Sequence, residues 1–139
     1  MAASQADWAT TTVNAIYDGT PTAVQFSMVK RVLSTVDPSD GKIHVTPITA
    51  ATDRPYGVIQ QNAKTGEACT VIVIGGTKIA VGAAVLGAGD SIMTDAAGLA
   101  VTYAKAGGTS YAFGICDVES QANGITSAIV NGATPVKGL

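Results

Sequence analysis

Charge is what this sequence has least of. Asp, Glu, Lys and Arg make up 13% of its 139 residues, against roughly 25% in an ordinary soluble domain. The two signs nearly balance at a net −2, so there is no electrostatic footprint for nucleic acid or acidic lipid. Glu occurs twice, at Glu67 and Glu119, and Leu four times. With those helix-favouring residues so scarce, long helices are not expected. One histidine, His44, and two cysteines set 47 apart, Cys69 and Cys116, lack the spacing of a metal site. The cysteines read as small buried hydrophobes in a chain made in a reducing cytoplasm.

Long apolar runs are missing too. The stretch from Ala68 to Gly89 is cut by Lys78 into charge-free pieces of 10 and 11 residues, too short to span a bilayer. Residues 1–8 have neither a cationic start nor an apolar run, so a secretion signal is not expected.

What is present is β-branched. There are 15 Val, 11 Ile and 17 Thr, with 23 Ala and 16 Gly. Side chains stiff at χ1 favour the pleated strand, and glycine supplies tight turns. The length fits one domain with a core of its own. The expectation is an all-β fold, a small barrel or sandwich.

Residues 1–22 are polar, Thr-rich and aperiodic, with Trp8, Val13, Ile16 and Tyr17 spaced along them. They read as an extended N-terminal arm that lays these apolar side chains on a neighbour. Residues 23–139 read as a single β-domain. Within it, Ala23–Val36 and Lys42–Ile48 are predicted strands, separated by the Asp37-Pro38-Ser39-Asp40-Gly41 turn; Pro47 limits the second to an edge or strand end. Val58–Gln60, Ala68–Ile74, Thr77–Val81, Tyr111–Val118 and Ile125–Val130 are further predicted strands. Ser91–Thr94 and Leu99–Ala104 flank Asp95-Ala96-Ala97-Gly98, a hairpin turn with glycine where positive φ is needed. Two stretches echo each other, residues 56–76 and 113–132. Each runs aromatic-Gly-aliphatic, polar loop, Gly, apolar strand, Gly; the outer glycines are 18 apart in both, and the units are offset by 57.

No residues converge on a reaction. His44 lies between Ile43 and Val45 in a predicted strand, so alternation turns it to the opposite face, towards solvent; no partner or nucleophile stands near it in sequence. Gly108-Thr109-Ser110-Tyr111-Ala112 ends in Ala where a nucleophile elbow has Gly. Gly75-Gly76-Thr77-Lys78 lacks the spacing of a phosphate loop. No catalytic residue, cofactor or metal site is expected.

The runs Arg54-Pro55-Tyr56-Gly57-Val58-Ile59-Gln60, Thr65-Gly66-Glu67-Ala68-Cys69-Thr70-Val71, Lys78–Val85 and Thr94–Ala100, with Phe113-Gly114-Ile115 near the end, together resemble the capsid decoration (head cement) proteins of tailed bacteriophages. Their order carries the likeness, over roughly residues 25–132; residues 1–22 lie outside it. The resemblance implies a β-tulip-like subunit, commonly trimeric, on the outer surface of the virion. Its partners would be the major capsid protein and copies of itself, with no nucleic acid and no membrane. The work would be non-enzymatic: bridging coat subunits and so stabilising the shell. Trp8, Val13, Ile16 and Tyr17 are the expected contact residues. Two alternatives stay open: a fibre, spike or surface-array subunit, and a β-barrel that binds a small molecule or carbohydrate.

Overall fold

A computed structural model describes residues 10–20, 22–33, 41–104 and 110–137. No helix occurs among them; the elements are strands β1 (Thr11–Tyr17), β2 (Met28–Arg31), β3 (Ile43–Pro47), β4 (Gly57–Ile59), β5 (Ala68–Ala80), β6 (Ser91–Thr94), β7 (Ala100–Thr102), β8 (Tyr111–Ala112), β9 (Gly114–Cys116), β10 (Ile125–Asn131) and β11 (Val136–Lys137). The all-β expectation holds.

Five strands close on themselves. The order β1-β3-β2-β4-β5 returns to its start because β5 also pairs with β1, which leaves no open edge. Alternation then fills the interior: Ala15, Tyr17, Val29, Val45, Ile59 and Val71 are buried together inside this first barrel. The second half of β5 begins another ring, β5-β10-β9-β6-β7, which a parallel bridge between Val81 and Ala100 completes. Its interior holds Ile79, Leu86, Ile92, Phe113, Ala128 and Val130. Fully burying an Ile or Phe of this kind contributes about 1.5–3 kcal/mol.

The two rings follow one plan. Met28 pairs with Val58 and Val58 with Ile72; Ser91 pairs with Ile115 and Ile115 with Ile129. The Ala23–Ala63 bridge has its counterpart in Leu86–Ser120, and the parallel Tyr17–Val45 pair in Val81–Ala100. Turn hydrogen bonds repeat as well: Phe26 N donates to Ile59 O, as Gly89 N does to Cys116 O. Both Phe26 and Gly89 have positive φ, +68° and +85°. The correspondence therefore runs through both rings, well beyond residues 56–76 and 113–132. β5 is the last strand of the first and the first strand of the second.

Three expectations need correction. Residues 11–17 are a stave of the first barrel and not an arm: β1 pairs in parallel with β3 and antiparallel with β5. Small Ala15, which points inward between Val13 and Tyr17, masks the alternation. Ala68–Ile74 and Thr77–Val81 are not two strands around a turn. Gly75 takes φ +117°, bending one continuous strand of 13 residues without ending it. A side chain there would also meet the Thr10 backbone, 2.9 Å from its Cβ. Finally, of the predicted strand Ala23–Val36 the described residues 23–33 form only the four-residue β2, because a turn precedes it in which Ser27 N and Oγ both donate to Val24 O, and residues 34–36 lie outside the described residues.

Candidate interaction surface

The reactive side chains are individually tied down. His44 Nδ1 lies 2.6 Å from Asp18 Oδ2, and the side chain is only 10% exposed. The solvent-facing expectation is thus corrected: the outward position on β3 is roofed by the chain leaving β1, whose residue Ile16 is the register partner of His44. Cys69 and Cys116 are free thiols buried in different clusters. Burial pushes the Cys69 thiol up. It does the same to Cys116, where Asp90 and Asp117 add to the rise despite hydrogen bonds that oppose it. Among the described residues no three His, Cys, Asp or Glu side chains form a group able to hold a metal ion.

Asp53 organises a well-tied polar turn. Its Oδ2 accepts hydrogen bonds from Lys30 Nζ (2.9 Å), Thr49 N (2.9 Å) and Ala50 N (3.1 Å). Partial burial raises its carboxyl, but those donors outweigh it and hold the group below the usual carboxylate value. The arrangement fixes the loop after β3 onto β2.

The expected contact residues separate. Tyr17 is 1% exposed and belongs to the barrel core, so it cannot present an anchor to a neighbour; burial and then Cys69 raise its phenol. Val13 and Ile16 are half-buried on β1. Trp8 lies outside the described residues.

Among the described residues, apolar side chains gather at the surface in two places. On the outer face of the second ring, Ile115 and Ile129 are direct cross-strand partners, 51% and 49% exposed. Ser91 extends the row on one side and Gly76 on the other. Ile125 and Val118 stand exposed nearby on the same hairpin. The second place is a groove of about 630 Å³ in which Val24 is exposed and Leu99 half-buried, over a floor of the buried Tyr17, Ala23, Val29 and Ile48. Exposed apolar side chains that cluster, rather than scatter singly, mark contact surfaces. A signal for the first was present in the sequence: Ile125–Asn131 places apolar residues on both faces, Ile125 and Ile129 on one and Ala128 and Val130 on the other. A strand with one face in water has no need of that. The groove draws its residues from distant segments and left no local trace.

No family model matches the chain, and no curated protein matches it. The decoration-protein resemblance therefore rests on its turns and strands alone. A solved structure does match. It is the head fiber gp8.5 N base of bacteriophage phi29, with a TM-score of 0.64 over 93% of this chain and 98% of that one. The likeness is one of fold. At 15% identity the two share a strand plan while most of their side chains differ.

Proposed function

We propose that this chain is a non-enzymatic structural protein of a tailed-phage virion, seated on the outer surface of the assembled head. The observation that carries the reading is the end-to-end fold match to the base of a phage head fibre, which leaves almost no part of either chain uncovered. Supporting it are the sequence resemblance to capsid decoration proteins and a surface whose clustered features are apolar contacts instead of a reactive cleft. In this role the protein binds coat subunits across their seams. Each contact is modest, of order 800 Å² per partner, and engaging several subunits at once multiplies the affinity through effective concentration.

Mixing the purified protein with undecorated, expanded phage heads tests the reading. Saturable, stoichiometric attachment seen by sedimentation and electron microscopy is the expected result. Heads that stay bare at saturating protein would refute it. The name of the matching structure favours a second reading, in which the chain is the base of a head-attached fibre. Micrographs separate the two, since decoration gives compact knobs and a fibre base gives projecting rods once the rest of the fibre is supplied.

A further inference from the structure

Because the two rings share a strand plan, each position in one has a counterpart in the other. Tyr56 N donates to Val29 O in the first barrel, as Phe113 N does to Ile92 O in the second ring. Arg31 pairs with Val45 on β3, and Thr94 pairs with Ala100 on β7. These matches set Arg31 against Thr94 and Tyr56 against Phe113. Thr94 and Phe113 are each 1% exposed, so the second ring closes this end with neutral, buried side chains. The first barrel does not. Arg31 is exposed there and Tyr56 only half-buried, with the guanidinium 5.9 Å from the centroid of the tyrosine ring.

A cavity of about 240 Å³ opens at this place. It is lined by Arg31, Arg54, Tyr56 and the buried Pro55, and by Leu33, which is 80% exposed. Arg54 Nη2 donates to Ala133 O at 3.0 Å, a bond across 79 residues that holds the guanidinium in the cavity wall. The counterpart of Arg54, 57 residues on, is the neutral Tyr111. Among the described residues neither guanidinium pairs with a carboxylate; Asp53, beside Arg54 in sequence, is held by Lys30. Two arginines therefore converge on one aromatic ring at a position where the same strand plan, in the second ring, does without charge.

We infer that this cavity binds an acidic side chain of a protein partner, its carboxylate held by Arg31 and Arg54 and an apolar neighbour resting on Leu33. Arginine's planar fork matches a carboxylate with two parallel N–H donors. Arg and Tyr are also the residue types in which contact energy concentrates. Size and charge argue against other occupants. The cavity is smaller than the roughly 300–1,000 Å³ of a small-molecule site. A nucleic acid is held by a row of about 6–10 phosphate contacts, whereas this chain of net −2 offers Arg31 and Arg54 alone in the cavity. The inference names a partner's chemistry and does not depend on the capsid reading. A protein that binds an acidic peptide but ignores heads keeps the first and loses the second; one that coats heads but ignores the peptide does the reverse.

The test is an NMR titration of the isotope-labelled full chain with the peptide acetyl-Ala-Leu-Glu-Leu-Ala-amide. Saturable shifts at Arg31, Leu33, Arg54 and Tyr56 are expected, with a Kd of about 1 mM at low salt that weakens as salt screens the charges. Replacing the peptide's Glu by Gln weakens binding by about 10-fold, and so does Arg31→Gln/Arg54→Gln in the protein. Arg54→Lys keeps the charge but loses the fork, and its affinity falls between. A dispersed amide spectrum verifies each fold; should the double variant fail to fold, the Glu and Gln peptides on wild type carry the test by themselves. Absence of saturable shifts overturns the inference, as do shifts centred elsewhere or equal binding of the two peptides. Sulfate or a short single-stranded DNA that binds these four residues more tightly than the peptide would assign the cavity to another anion, and overturns it too.

Discussion

Gly132 offers the sharpest check on how the two rings join. It follows β10, where that strand runs into the start of β4 along the same side of β5, and its N–H donates to Val73 O at 2.6 Å. A Cβ built at this position would lie 1.7 Å from Tyr56 O, 2.6 Å from Tyr56 C and 3.2 Å from Val73 O. All three are backbone atoms, so no rotamer change relieves the clash. Either Tyr56 or Gly132 has to move, and each is bound into the β-ladder, Tyr56 through the bond from its N–H to Val29 O. Overpacking in a well-filled core costs about 1–3 kcal/mol; a main-chain collision belongs at the upper end, so Gly132→Ala is expected to lose about 3 kcal/mol. At roughly 3–4 °C per kcal/mol for a chain of this size, the melting temperature falls by about 10 °C. Gly76→Ala is the control, since its Cβ would meet nothing within 4 Å. There the lost backbone freedom of the unfolded chain leaves stability unchanged or raises it by up to about 1 kcal/mol. Calorimetry or urea unfolding of both variants decides. If Gly132→Ala melts within about 1 °C of Gly76→Ala, the junction is not as tight as described.

Asp53→Asn removes the ionised acceptor of the turn after β3, and urea unfolding at pH 7 should show a loss of about 1–2 kcal/mol. Because the folded carboxyl lies below its unfolded value, its contribution is full above about pH 4 and fades as pH falls through the folded value; the variant's stability profile should lack that acid-side component. The thiols of Cys69 and Cys116 are buried and shifted upward. They should react with a thiol reagent at pH 8 far more slowly in the native protein than in denaturant, and comparable rates in the two conditions would contradict their placement.

Composition is a sound guide to fold class here, because β-branched residues and scarce Leu and Glu restrict what the backbone favours at every position. Local turn chemistry is equally plain. Asp95 Oδ1 accepts from Ala97 N and Leu99 N, and Gly98 takes φ +81°, as the Asp-Ala-Ala-Gly run requires. Legibility fails where neighbours distant in sequence decide. Gly75-Gly76 looks like a turn, and only pairing with β1 on one side and β10 on the other keeps the strand running through it. Tyr17 looks like an anchor for a partner because nothing nearby in sequence announces β3 and β5 as the walls that enclose it. Similarly, the groove joins Val24 to Leu99, which no window along the chain can bring together. The apolar row is readable in principle, since Ile125 and Ile129 alternate with residues that already fill the core.

One strand of 13 residues serves both rings, and that has a mechanical consequence. A pull between the two rings is carried along one unbroken ribbon of backbone instead of through a linker. The first half of the ribbon walls one ring and the second half the other, so severing it near Gly75 would break the strand they share. A building block of this kind hands strain on to whatever it touches.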